Sequence, residues 1–353
     1  MTAPTSKTVA AIWDLYQSSE RQAPRRTHLG ASSVGQECAR ASWYSFRWAY
    51  EPEFSGQLLR LFQRGHREEP WLVSDLRRIG VEVLEKDPKT GRQWEWTDKL
   101  IGEHFRGSAD GALRGLPEDP DGWFLFECKT ANAKRQELLE KRGVQSASPT
   151  HYNQMQCYMG WSGLRRAAYF SVNKNTDAIY FELVEFDQER FDSLTEDAHR
   201  IILSPVPLSR ISESPMPPPC CFCDAKALCH GAQVADVNCR TCAHSTPITD
   251  APGGTWECTR HGNELSAQAQ QKACDSHLFI PALIPHSYPI EAGDGYVLYQ
   301  IRGTEKRFAN VESTYVPAEF DDESEIGLGG AVEALSSRRV KHMHTDADDW
   351  DIF

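Results

Sequence analysis

The sequence predicts an α/β protein, a mixed central β-sheet flanked by helices, followed by a small Cys-rich C-terminal module. Three observations lead there. Apolar residues recur at helical spacing in blocks that alternate with strand-like runs. A Pro-rich run, Ser-Pro-Met-Pro-Pro-Pro at 214–219, ends that alternation. Eight of the eleven cysteines then crowd between Cys220 and Cys274. A chain of 353 residues holds one large domain and one or two small ones.

The elements follow in order. Residues 8–20 and 35–50 read as helices, separated by the basic Arg21, Arg25 and Arg26. Residues 56–79 form a longer helix with Leu58, Leu59, Leu61, Phe62, Trp71, Leu72 and Leu76 as its stripe. Extended structure starts at 81–84, and strand-like runs follow at 92–96, 101–113 and 123–129, with a turn at 116–122. The last two runs make a hairpin whose arms deliver Asp110 and Glu127. A helix at about 149–161, strands at 167–172 and 179–186, and a helix at 188–203 complete the alternation. The expected division is a large domain over 1–235, a Cys-rich metal-binding module over 236–285, a small β element over 286–320 with strands at 296–300 and 307–311, and an acidic, flexible tail over 321–353.

Composition narrows the function classes. With 40% hydrophobic and 25% charged residues the chain reads as soluble and globular, and no apolar run approaches the roughly 20 residues of a membrane helix. The first ten residues lack a basic segment followed by an apolar core, so the expected compartment is the cytoplasm. Dense cysteines there are metal ligands before they are disulfides. The net charge of -12 argues at first against a nucleic-acid partner. Residues 1–150, however, carry 22 Lys+Arg against 21 Asp+Glu, while 301–353 carry 6 against 12, so half of the acidic excess lies in the tail.

The sharpest chemical signal is Gly107-Ser-Ala-Asp110, then sixteen residues beginning with a glycine, then Glu127-Cys128-Lys129. Alternate strand residues share a face, so Glu127 and Lys129 point the same way, and hairpin pairing brings Asp110 beside them. Two carboxylates at one point make a hard-oxygen site for Mg²⁺ or Mn²⁺, and a lysine there orients or deprotonates a water for attack on phosphorus. Taken alone, the pattern is equally a surface hairpin with alternating charges. Its flanks tip the balance. His66 and Glu69 stand at i and i+3 on a helix and offer further metal ligands, and Gln154 and Tyr158 stand one helical turn apart.

This ordered set resembles the RecB-like branch of the PD-(D/E)XK nucleases, which includes phage exonucleases and CRISPR-associated RecB-like exonucleases; the likeness spans residues 28–230. It implies a restriction-endonuclease-like core with Asp110, Glu127 and Lys129 as the catalytic centre. Glu69, with His66, would complete the metal site, and Gln154 and Tyr158 would match the family's Gln-x-x-x-Tyr motif. Ala109 stands where the family's name has proline, and the Gly65-x-x-x-Glu69 spacing favours Glu69 over Glu68. The implied activity is a metal-dependent DNA exonuclease of phage or bacterial recombination or DNA processing, acting on single strands or duplex ends. The competing reading is a non-catalytic DNA-binding or adaptor protein of the same fold, against which the intact Asp110, Glu127 and Lys129 argue.

Cys220-x2-Cys223-x5-Cys229 supplies three thiolates, and Cys239 is a local fourth. The resemblance implies another set. In AddB-type nucleases and their CRISPR-associated relatives a cysteine before the core joins three after it around a [4Fe-4S] cluster, and Cys38 matches that position, making a structural staple. Zinc on the local cysteines, with Cys38 merely buried, is the alternative. Cys239-x2-Cys242-x15-Cys258-x15-Cys274 forms a second set that looks like a zinc ribbon, with His244, His261 and His277 as substitutes; a second iron-sulfur cluster competes, and spacing does not separate the two. Cys128 and Cys157 read as small buried side chains.

Arg40, Trp43, Tyr44, Arg47, Trp48 and Tyr50 interleave cations with rings, as a single-strand DNA channel would, although Trp43, Phe46 and Tyr50 also fit a helix core. Lys134, Arg135, Lys141 and Arg142 are candidate phosphate contacts or a plain solvated face. The chain ends Thr345-Asp-Ala-Asp-Asp-Trp-Asp-Ile-Phe353, which is similar to the C-terminal tip of bacterial single-stranded DNA-binding proteins. That likeness implies docking on a recombination partner; solubilising disorder is the alternative.

Overall fold

The computed structural model describes residues 6–231, 233–284, 287–311 and 314–316. The chain opens with α1 (Lys7–Arg21), the short β1 (Leu29–Gly30), α2 (Ala39–Phe46) and the long α3 (Gly56–Arg78). Ser6 and Ser55 cap α1 and α3 by accepting from Val9 N and Leu58 N, donors that a first helical turn leaves open. Then come β2 (Glu82–Leu84), β3 (Glu95–Thr97), β4 (Phe105–Ser108), β5 (Gly111–Leu116), β6 (Asp119–Ala131), α4 (Ala133–Ala147), α5 (Pro149–Ser162), β7 (Arg166–Asn173), β8 (Ile179–Glu185) and α6 (Gln188–Leu203). Past the Pro-rich run lie α7 (Lys226–Cys229), β9 (Ser245–Pro247), β10 (Trp256–Cys258), β11 (Asn263–Leu265), α8 (Ala267–Gln271) and a meander of β12 (Ser287–Gly293), β13 (Tyr296–Ile301), β14 (Arg307–Val311) and β15 (Thr314–Val316).

The central sheet runs β2-β5-β6-β7-β8 and is mixed, since β6 and β7 pair parallel while the other neighbours pair antiparallel. Its middle strands are apolar on both faces because helices cover both. Phe124 and Phe126 of β6 pack with Leu72, Val73 and Leu76 of α3. Leu125, pointing the other way, joins Met155 and Met159 of α5 and Leu194 and Ala198 of α6. Among the described residues no helix is long and apolar enough to cross a membrane.

Four sequence expectations need correction. The run 101–113 is not one strand: β4 pairs with β1 and β3 in a separate three-stranded sheet, and Asp110 sits at the crossing into β5. The Ala109 amide donates to the Trp94 carbonyl at 3.1 Å, which holds the chain on the small sheet one residue before Asp110. The hairpin turn is also shorter than 116–122, because Leu116 already pairs with Asp119, and Gly115 at φ +91° absorbs the bulge before it. The helix expected over 35–50 contracts to α2, with Gly35 at φ +78° and Trp48 at φ 50° marking its outer turns. Finally, α4 stands where only a cationic run was read.

The cysteine-rich segment packs directly on α2. Trp256 of β10 lies 5.3 Å from Phe46 of α2, ring centre to ring centre, and Arg240 stacks 3.8 Å over Trp48. Trp256, Cys258, Phe279 and Ile280 belong to the same apolar core as α2 and α5. Of the two readings of the basic-aromatic run, the helix-core one fits Trp43, Tyr44, Phe46, Arg47 and Trp48, which are all buried. The acidic tail of 321–353, and with it the docking peptide at 345–353, lies outside the described residues.

Candidate active site

Three elements deliver the central charges. Asp110 precedes β5 directly, and its Oδ2 accepts from the Cys128 amide at 2.7 Å, so the β5–β6 pairing itself fixes the carboxylate. Glu127 and Lys129 share one face of β6. Lys129 Nζ forms an ion pair with Glu127 Oε1 and stands 4.0 Å from Asp110 Oδ2. Glu127 is fully buried, whereas Lys129 keeps 27% of its side chain exposed. The opening of the site therefore lies on the lysine side.

Helix α3 supplies Glu69. Gly65 lies over Thr130 of β6, and Pro70 has no amide hydrogen for the His66 carbonyl, which loosens the turn carrying Glu69. Burial lifts the Glu69 carboxyl to about 7, with repulsion from Asp110 adding to the rise and Lys129 opposing it. Burial also pushes Glu127 up, again with Asp110 adding and Lys129 opposing. For Lys129, burial alone would lower the pKa, but Glu127 and Asp110 outweigh it and hold the side chain firmly as an ammonium. Three carboxyl groups thus gather near one lysine, and burial with mutual repulsion holds the two glutamates back from ionising. His66 is exposed on α3 and is not drawn in.

From α5, Gln154 Nε2 donates to Tyr158 Oη at 2.8 Å, and both side chains are buried. Burial and then Glu127 raise the Tyr158 phenol, so its hydroxyl stays protonated beside the carboxylates. The glycine of the Gly107-Ser-Ala-Asp110 run has a steric reason: a Cβ on Gly107 would overlap the Tyr158 ring.

Two further residues escaped the sequence reading. In the parallel register Tyr169 of β7 lies opposite Glu127, and its hydroxyl is 2.9 Å from His151 Nδ1. Burial, then Lys129 and Arg135, hold His151 down at about 4, so it is neutral at pH 7. Both line a cavity of about 340 Å³ that continues from the end of β6 past Thr130, Arg135, Ser148 and Lys174, with no carboxylate among its lining residues. A β6–β7 parallel pairing joins residues some 40 apart, and only the observed register reveals it.

The cysteines gather in two places. Cys38, at the N-terminus of α2, lines a cavity of about 340 Å³ together with Cys220, Cys223 and Cys229. Cys239, Cys242, Cys258 and Cys274 line a second cavity of only about 10 Å³. Among the described residues no three His, Cys, Asp or Glu side chains stand in a finished metal-ligating arrangement, so ion binding at any of these places requires rotamer closure.

No family model and no curated protein matches the chain. Among solved structures, an alkaline exonuclease from Laribacter hongkongensis matches at 17% identity and a TM-score of 0.35, over 53% of this chain and 90% of that one. Its complex with dAMP matches at 17% and 0.34 over the same shares. SSO0001 matches at 14% and 0.38, over 64% of this chain and 96% of that one. The chemistry of the site is therefore read from its own residues.

Proposed function

We propose that this protein is a metal-dependent DNA exonuclease of the RecB-like PD-(D/E)XK type. The observation that carries the reading is the meeting of Asp110, Glu127 and Glu69 around Lys129, with two carboxyls held back from ionising that a divalent cation would let ionise together. Asp110, Glu127 and Glu69 would hold Mg²⁺ or Mn²⁺, which supplies Lewis-acid charge at the scissile phosphate when bound. Lys129, kept as an ammonium, donates to the phosphate or orients the attacking water. Because Gln154 donates to the Tyr158 oxygen, the phenol hydrogen is left to turn toward that same water or strand. The acid-free cavity with Arg135 and Lys174 fits the phosphates of the strand leaving the site.

An iron-sulfur staple belongs to the same proposal. Cys38, Cys220, Cys223 and Cys229 are soft ligands around a cavity wide enough for a [4Fe-4S] cube, which would tie α2 to the segment after the core. The test of the activity is incubation of linear and covalently closed circular DNA with Mg²⁺ or Mn²⁺, with and without chelator. Linear DNA is expected to be degraded from its ends and circular DNA spared, with activity lost in chelator. Degradation that survives chelation overturns the metal-dependent reading, and equal loss of both substrates overturns the exonuclease reading.

A further inference from the structure

The second cysteine set is enclosed by an unusual electrostatic neighbourhood. Arg47 and Arg240 are both buried, at 3% and 0% exposure, and among the described residues neither forms an ion pair with Asp or Glu. Arg240 donates only to neutral acceptors, Gln270 Oε1, the Phe46 carbonyl and the Thr27 carbonyl, each at 2.8 Å. Arg47 donates to the carbonyls of Ser245 at 3.1 Å and Arg240 at 3.3 Å, and its Nε has no partner. Both guanidiniums lie over the ring of Trp256, at 4.8 and 4.7 Å, and they repel one another. Two unpaired buried cations side by side are costly unless a negative centre lies nearby.

The cysteines flank Arg240 in sequence, and one of them reaches Arg47 in space. Arg240 sits inside the Cys239-x2-Cys242 turn, and Trp256 is two residues before Cys258 on the same face of β10. Arg47 is within electrostatic reach of Cys242. The Cys242 sulfur accepts from the Leu278 amide at 3.4 Å, a contact that favours thiolate over thiol. Cys239 donates to the Lys272 carbonyl at 3.1 Å and would leave that contact on ligating. The space of about 10 Å³ between the four cysteines is room for about one water-sized sphere, which suits a single ion.

We propose that Cys239, Cys242, Cys258 and Cys274 close on one structural zinc ion, and that the doubly negative tetrathiolate centre is balanced by the buried Arg47 and Arg240. Four thiolates and one Zn²⁺ sum to two negative charges, equal and opposite to the two guanidiniums. The zinc then fastens the Cys239–Cys242 turn, and with it Arg240, beneath α2.

Metal analysis of the full chain, prepared without oxygen, tests this. One zinc per chain is expected, lost in Cys258→Ser while any iron is unchanged; zinc undiminished by that change, or iron lost with it, overturns the proposal. Should Cys258→Ser fail to fold, cobalt exchanged into the wild-type chain decides instead. Intense visible bands of a tetrahedral tetrathiolate are expected, and their absence overturns the site. For the charge balance, Arg47→Met is expected to weaken zinc retention against a competing chelator by roughly 10–100-fold, as loss of an outer partner does. Unchanged retention overturns the role given to the arginines.

Discussion

Two regions of this molecule crowd ionisable side chains of one kind, acidic in one and basic in the other. At the β5–β6 crossing, Asp110, Glu127 and Glu69 surround one lysine. Under α2, Arg47 and Arg240 both lie over the ring of Trp256, with no carboxylate in ion-pair range among the described residues. The first group is acidic and partly open to solvent through Lys129, as a site for an exchangeable divalent cation and a polyanionic substrate should be. The second is basic and sealed, as a permanent structural centre should be. Ionisable groups of one kind that a fold crowds together are a guide to the ion it expects, and their exposure tells whether that ion is a reagent or a fastening.

The contrast is broken most severely at Trp256, the ring beneath both arginines. Trp256→Ala is expected to cost about 3–5 kcal/mol by cavity formation and loss of the cation–π contacts, read as a fall in the unfolding midpoint. A loss within the range of a surface change would mean that the arginines do not depend on the ring. Gly107→Val is the matching insult to the cleft: pressing on Tyr158 should cost about 1–3 kcal/mol of stability and reduce DNA cleavage by more than that cost explains. If Tyr158 only packs, cleavage by the folded fraction will be unchanged.

Glu69→Gln sharpens the difference between reagent and fastening. Burial and Asp110 make the Glu69 charge unfavourable without metal, so at pH 8 its removal should stabilise the metal-free chain by about 1 kcal/mol, allowing for partial exposure. The same change should abolish the extra thermal stability that Mg²⁺ confers. A drop in metal-free stability would contradict this sign.

The smallest expected effect is in the pH response. His104 packs on Phe46 and Trp256, donates to the Ile248 carbonyl at 3.0 Å, and is held near 4, chiefly by burial, with Arg240 also lowering it. A depressed folded pKa gives stability that is present above the unfolded value near 6.5 and drains away as pH falls toward 4. Glu69, raised to about 7, runs the other way, so its cost fades as pH falls through that value. Between pH 7 and 4 the denaturation midpoint of His104→Gln should therefore gain on that of the wild type as the pH falls. Parallel slopes would remove His104 from the account.

Much of this architecture could be read from the sequence, and the failures have physical causes. Periodicity locates α3, α5, α6, β7 and β8 because each buries one face or two in the core around the sheet, and it locates α1 although that helix, lying on α3, buries no residue. It misses α4, whose exposed Lys134, Arg135, Lys141 and Arg142 hide a stripe of Gln136, Leu139 and Val144. The break between β4 and β5 is invisible because both halves are extended; only pairing to different sheets separates them. Asp110, Glu127 and Lys129 are legible as a group because hairpin geometry is local. Tyr169 and His151 are not, since a parallel crossover brings them in. The basic-aromatic run after Arg40 fits either a nucleic-acid surface or a helix core until Arg240, nearly 200 residues on, is seen to fill the space against it.

The central claim, that the carboxylate cleft is a nuclease centre, is tested most directly by end-labelled linear DNA incubated with Mg²⁺ or Mn²⁺ and wild-type, Lys129→Ala or Glu127→Gln protein. Metal-dependent release of label is predicted for wild type, with a loss on the order of 10²–10⁴-fold in each folded variant. Undiminished cleavage by both folded variants, or none by the wild-type chain with either metal, would contradict it.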